Sequence, residues 1–162
     1  MKQDPCEPVR VSRRISAPAG KIFKILADPA RHRDIDGSGT LRAAGPGTVI
    51  SGVGDVFVMR MRWPGIGEFE MNNHVVEYEP GRRIGWEPEN GRGHPDAGEP
   101  GTGRWRRWSY ELTPAGPDAT VVTEIYDCSR APEDVQAELD CGNVWIENMT
   151  KTLERLGDLC AS

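Results

Sequence analysis

At 162 residues, 28% charged and 37% hydrophobic, the chain has the composition of one folded domain, which excludes both a pair of ordinary domains and wholesale disorder. A net charge of −5 without any block of five like charges excludes a dedicated nucleic-acid binder and a polybasic membrane anchor. The longest uncharged run, Ala43 to Gly54, is interrupted by Gly45, Pro46, Gly47, Gly52 and Gly54, so no integral membrane segment is expected.

Residues 1–8 carry Asp4, Pro5, Glu7 and Pro8 where a secretory peptide needs an apolar stretch. A frayed start and a cytoplasmic address are expected. Val9 to Ile15 alternates apolar and polar positions with period two and predicts a strand. Pro18 then opens a helix whose apolar face is Ile22, Phe23, Ile25 and Leu26. Asp28 and Pro29 end that helix and cap a second short one, Pro29 to Ile35. Asp36 to Gly47 reads as loop. Strands follow: Asp55 to Trp63, Glu68 to Glu79, Arg82 to Glu87, Arg104 to Thr113 and Ala119 to Cys128, separated by turn residues such as Pro64-Gly65 and Pro80-Gly81. Residues 91–103, rich in glycine and without a large apolar side chain, predict a mobile loop.

From Pro132 the positions Val135, Leu139, Gly142, Ile146, Met149, Leu153, Leu156 and Cys160 step by fours and threes, which predicts one continuous helix to about Leu159, roughly 40 Å long. No other helix matches its length. The sheet must cover its apolar face unless the protein dimerises through it, and oligomeric state stays open.

The four cysteines, Cys6, Cys128, Cys141 and Cys160, have no C-x-x-C spacing and the three histidines are far apart, so no metal site and reduced thiols are expected, although Cys6 in the frayed start could oxidise. Asp34 to Leu41 copies the opening of a calcium loop, yet Gly45 stands where the closing glutamate belongs, so the segment reads as a turn. No GxGxxG, GxxxxGK[ST] or GxSxG occurs, and no cofactor is expected. Arg104, Arg106 and Arg107 with Trp105 and Trp108 hint at a base-stacking platform, but alternation separates Arg104, Arg106 and Trp108 from Trp105 and Arg107. A strand with a solvated rim is the better reading, with no nucleic-acid partner.

The order strand, two short helices, antiparallel strands and long C-terminal helix is an α+β helix-grip arrangement: a curved antiparallel sheet of six to seven strands wrapped around the last helix. Several stretches resemble the START-related superfamily (SRPBCC) of pollen allergens and bacterial polyketide cyclase/dehydratase and lipid-transport proteins. They are Ile15-Ser16-Ala17-Pro18, Leu26-Ala27-Asp28-Pro29 with Asp36-Gly37-Ser38, Val75 through Trp86 across a hairpin, Trp108-Ser109-Tyr110-Glu111-Leu112, and Leu153-Glu154-Arg155-Leu156. The resemblance spans nearly the whole chain and implies a single domain with a hydrophobic cavity between sheet and helix, holding a lipid, polyketide or sterol-like ligand.

The side chains that would line such a cavity are Met59, Met61, Trp86, Trp108, Tyr110 and Tyr126 on the strands and Ile146 and Met149 on the helix, with Gly142 making room. Glu124 stands between Val122 and Tyr126 on one strand face, but Val121, Thr123 and Ile125 form an equally good inner face, and the resemblance favours the first. Facing inward, Glu124 would have a raised pKa and suit general acid or base work, although pairing with an arginine is the simpler role. Binding or transport of a hydrophobic small molecule leads. The alternatives are a polyketide aromatase/cyclase or dehydratase using Glu124, Tyr110 or Tyr126 for proton transfer, and an interaction module acting through strand edges or residues 91–103.

Overall fold

The computed structural model describes residues 6–44, 49–98 and 103–161. Seven segments form strands, several of them with period-two alternation: β1 (Val9–Ile15), β2 (Leu41–Ala44), β3 (Val56–Trp63), β4 (Gly67–Glu79), β5 (Arg83–Asn90), β6 (Arg107–Pro114) and β7 (Thr120–Asp127). They form one antiparallel sheet in the order β1-β7-β6-β5-β4-β3-β2. Register shifts between Val75 and Glu77 on β4, and between Leu41 and Ala43 on β2, insert extra residues that bend the strands and curve the sheet.

Helices α1 (Ala19–Leu26) and α2 (Pro29–Ile35) follow β1, and α1 buries Ile22, Phe23, Ile25 and Leu26. Asp28 caps α2, its carboxylate accepting from the Ala30 amide at 3.1 Å, with Pro29 in the first turn. Asp28→Ala is expected to cost about 1 kcal/mol of stability, read as a lower urea midpoint at unchanged slope. The final helix α4 (Ile146–Ala161) lays Met149, Leu153, Leu156 and Cys160 against the sheet. The turn after α2 passes so close to α4 that a Cβ at Gly37 would overlap the Asn148 carbonyl oxygen, and the Gly37 amide donates to Thr152 Oγ1 at 2.9 Å. The core of Ile15, Ile22, Leu26, Ile84, Leu112, Val122, Leu153 and Leu156 therefore fills one end of the grip. The fold is the α+β helix-grip arrangement.

Several expectations need correction. The C-terminal helix is not continuous: α3 (Glu133–Glu138) and a 3₁₀ turn over Asp140–Trp145 precede α4, which at 16 residues spans about 24 Å. Asp140, Cys141 and Gly142 take left-handed backbone angles (φ 49°, 57° and 96°), which redirect the chain without disturbing the apolar spacing. The thiols are not all reduced. Cys6 and Cys141 form a disulfide, because the left-handed turn carries Cys141 to within 5.3 Å (Cα–Cα) of Cys6; Cys128 and Cys160 are free and buried.

That bond, with Cys6 itself buried, ties down residues placed in a frayed start; residues 1–5 lie outside the described segments. The start of the loop over residues 91–103 is tied to β4: the Gly91 amide donates to the Glu70 carbonyl, the Glu70 amide donates to the Arg92 carbonyl, and His94 packs edge-on to Phe69. Residues 99–102 lie outside the described segments. Finally, Asp36 to Gly47 is not all loop, since Leu41–Ala44 pairs with β3 as an edge strand; four residues are too few for periodicity to register. Among the described residues, no helix is long and apolar enough to cross a membrane.

Candidate functional site: a cavity under the curved sheet

Beyond the packed end, the inner faces of β3 to β7 stand away from α3, the 3₁₀ turn and the start of α4, leaving a cavity of about 630 Å³. Alternation decides which side chains face it. On β4 the inward residues are Phe69, Met71 and Asn73, and on β7 they are Glu124 and Tyr126, so the Val122/Glu124/Tyr126 face of β7 is the inner one. Cross-strand register then stacks the aromatic wall: Trp86 pairs with Trp108, and Trp108 with Tyr126. Ring centroids lie 4.4 Å apart between Trp108 and Tyr126 and 5.9 Å apart between Trp86 and Tyr110. Trp63 and Trp145 meet edge-on at 6.4 Å and join the β3 end to the 3₁₀ turn across the cavity.

The same register sets Tyr110 directly opposite Glu124. The Tyr110 hydroxyl donates to Glu124 Oε1 at 3.2 Å, while Glu124 Oε2 is buried without a hydrogen-bond partner. Burial pushes the Glu124 carboxyl up to about 8, opposed by the tyrosine hydrogen bond and reinforced by the negative charge of Asp36. Glu124 is therefore a neutral acid at pH 7, beside a tyrosine whose hydroxyl burial and Glu124 raise well above its ordinary value. No arginine pairs with Glu124 among the described residues, so the ion-pair role expected for it is replaced by the tyrosine contact.

Burial pushes Tyr126 up to about 12, with Arg106 acting against the rise. The Trp145 indole N–H lies close enough to favour the Tyr126 phenolate but outside full hydrogen-bond geometry, and stays buried without a partner. His32 closes the inner end, stacked on Trp86 at 5.2 Å with Nε2 on the Leu26 carbonyl at 2.7 Å, and burial lowers its pKa.

Eight of the ten residues expected at the cavity line it: Met59, Met61, Trp86, Trp108, Tyr110, Glu124, Tyr126 and Met149. Two do not. Ile146 is 41% exposed, because the 3₁₀ turn rotates the helix start and sends the preceding Trp145 inward in its place. Gly142 packs against the Tyr126 ring and Val9 and does not line the cavity.

The sequence reading also missed His32, Asn73, Asn90, Arg106 and Trp145 on the wall. Asn73 was findable, since it shares parity with Phe69, Met71 and Val75; Trp145 was hidden by the helix break. Of the basic cluster, Arg104 and Arg107, with Arg130, converge on Glu87 outside the cavity. Trp105 and Arg106 line the cavity together, because they precede β6 and escape its alternation. The would-be calcium loop is a turn in which the Asp36 carboxylate accepts from the Ser38 amide and hydroxyl and the Leu41 amide.

A curved sheet gripping a helix over an apolar cavity is a START-like fold. In agreement, the chain superposes on a START superfamily protein of Mycobacterium smegmatis with a TM-score of 0.62 at 13% identity, covering 95% of this chain and 97% of that one. By sequence the chain belongs to the family described as polyketide cyclase/dehydrase and lipid transport, matched over residues 8–161. A protein from Arthrobacter aurescens superposes with a TM-score of 0.70 at 15% identity, covering 99% of this chain and 90% of that one. DynU16, of the dynemicin biosynthetic locus, gives 0.60 at 21% identity, covering 98% of this chain and 48% of that one. The uncharacterised protein Rv0088 of Mycobacterium tuberculosis is 34% identical over 124 residues, 74% of this chain and 48% of its own. The chain thus spans about half the length of the curated relatives it matches.

Proposed function

We propose that the chain binds a hydrophobic small molecule bearing oxygen substituents in the cavity under the sheet, as a carrier or holding protein. The observation that carries this reading is a cavity of about 630 Å³ walled by Trp, Tyr, Phe and Met, with one buried carboxyl oxygen unpaired. Apolar walls with a few convergent polar atoms suit a ligand that is mostly hydrocarbon or aromatic. A neutral Glu124 can donate its proton to a ligand carbonyl, which would satisfy the orphaned oxygen. Lipid or polyketide cargo agrees with the family's description.

Native mass spectrometry of freshly purified protein tests this directly. The wild type is expected to carry an organic-extractable adduct, or to take up an aromatic lipophile added in slight excess. Met61→Trp, which extends a half-exposed lining side chain into the cavity, is expected to reduce occupancy about tenfold or more. Absence of any adduct or uptake in the wild type would sink the reading.

A second reading, cyclisation or dehydration of a cavity-bound poly-β-keto substrate, is favoured by one observation. Glu124 titrates near 8 beside Tyr110, where a carboxylate can take a proton from an activated methylene and return it to a carbonyl oxygen. A base role requires the ionised form, so turnover would rise with pH through about 8 and fall by about 10²-fold or more in Glu124→Gln. Equal turnover in Glu124→Gln and Tyr110→Phe leaves binding alone.

A further inference from the structure

One end of the cavity carries a positive charge that no described residue balances. Arg106 lies just before β6 and lines the cavity, its Cζ 4.8 Å from the Trp105 ring centroid and its Nη2 donating to Asn90 Oδ1 at 2.9 Å. Its neighbours behave differently: Arg104 and Arg107 reach Glu87, and Arg107 also reaches Glu77. Among the described residues Arg106 has no ion-pair partner, and none of them accepts a hydrogen bond from its Nε or Nη1. A guanidinium does not shed its proton, so a half-buried one facing a largely apolar cavity favours a ligand that brings an anion.

His94 strengthens the same end. It lines the cavity, and its Nδ1 accepts the Asp96 amide at 3.0 Å, which leaves Nε2 as the N–H of the neutral ring. Asp96, exposed at the rim, Asp36 and Glu138 also line the cavity, and none of them is within ion-pair distance of Arg106. Four residues along the chain from Arg106 stands Tyr110, opposite Glu124 with its unpaired oxygen. At strand rise that separation is roughly 13 Å.

We propose that the ligand is an amphipathic carboxylic acid: its carboxylate sits on the Arg106 guanidinium, its apolar body lies along Trp108 and Trp86, and an uncharged carbonyl or hydroxyl reaches Glu124. This rests on the cavity-binding reading and names the class of molecule bound. The planar fork of Arg matches a carboxylate with two parallel N–H bonds, the pairing that a stacked guanidinium with two free nitrogens is shaped to make. The uncharged acid at the other end discriminates against a second anion there, so the cavity reads the ligand's polarity and direction as well as its hydrophobicity.

The test uses the full chain and two fluorescent probes of equal shape, pyrene-1-butanoate and pyrene-1-butanol, titrated at pH 7. The wild type is expected to bind the carboxylate about tenfold or more tighter than the alcohol. Arg106→Gln is expected to bring that ratio to about one, and Arg106→Lys to retain part of the preference. Tight binding of both probes with equal affinity overturns the carboxylate assignment and leaves the cavity reading standing. Binding of neither overturns both. A preference undiminished in Arg106→Gln moves the anion elsewhere and overturns the role of Arg106. Should Arg106→Gln not fold, the wild-type ratio and its decline in Arg106→Lys decide the matter.

Discussion

Glu124→Gln is expected to be clearly more stable than the wild type at pH 9 and to lose that advantage at pH 5. The reason is linkage between protonation and folding. Burial lifts the folded-state pKa of Glu124 from an ordinary 4.5 to about 8, so the folded protein holds a proton that the unfolded chain gives up. The contribution of Glu124 to stability is therefore fully present below about 4.5, declines as pH rises, and levels off above about 8. Glutamine is a neutral isostere that still accepts from Tyr110 and has no proton to lose. The difference in unfolding free energy between variant and wild type should swing by roughly 3–5 kcal/mol from pH 5 to pH 9. His32 and His94, whose pKa values burial lowers, work in the opposite sense and destabilise the fold as pH falls through 6.5. They are common to both proteins and cancel in the difference. Urea midpoints at the two pH values settle it: parallel curves would mean that Glu124 is not the buried neutral acid described above.

Gly142→Ala is expected to cost about 2–5 kcal/mol, with the damage centred on the cavity wall. Its φ of 96° lies where a side chain strains the backbone by about 1–2 kcal/mol, and its Cβ would stand 2.5 Å from Tyr126 Cδ1 and 3.3 Å from Val9 Cγ2. Relieving that overlap costs about 1–3 kcal/mol more in a packed interior. The turn has little freedom to move aside, because neighbouring Cys141 is bonded to Cys6. The Tyr126 ring must yield, and it is a wall of the cavity, so probe binding should weaken together with stability. Gly157 in α4 supplies the contrast: its Cβ would meet only ordinary contacts at 3.6 and 3.8 Å, so Gly157→Ala should be neutral or stabilise by up to about 1 kcal/mol. Thermal melts of the two variants beside the wild type make the comparison, and equal melting temperatures would overturn the account of Gly142.

The disagreement between Ile146 and Trp145 illustrates where sequence reading stops. Apolar positions stepping by threes and fours describe a helical face whether or not the helix is interrupted, provided the interruption preserves the count. Asp140, Cys141 and Gly142 do so while turning left-handed, so the stripe looked continuous and placed Ile146 inside. The 3₁₀ turn advances the chain by a different angle per residue, and the larger, more amphipathic Trp145 takes the inner position. Arg106 escaped for a related reason: the strand begins one residue later, at Arg107, so strand parity did not apply to it. Neither miss was a matter of residue chemistry, which was plain in both cases.

Local order was determined by the sequence alone. Alternation located β1, β3 and β4 within a residue or two, Asp28-Pro29 marked the start of α2 to the residue, and the aromatic and methionine positions of the sheet were visible before any fold was known. These follow from interactions between residues close in the chain, where spacing is sufficient information. The tertiary structure decided which of two equivalent faces of β4 and β7 turns inward, that Tyr110 stands opposite Glu124, that Cys6 meets Cys141 across 135 residues, and that Arg106 has no carboxylate partner among the described residues. Each depends on strand order, register or a left-handed turn, which bring distant segments together and leave no periodic trace along the chain.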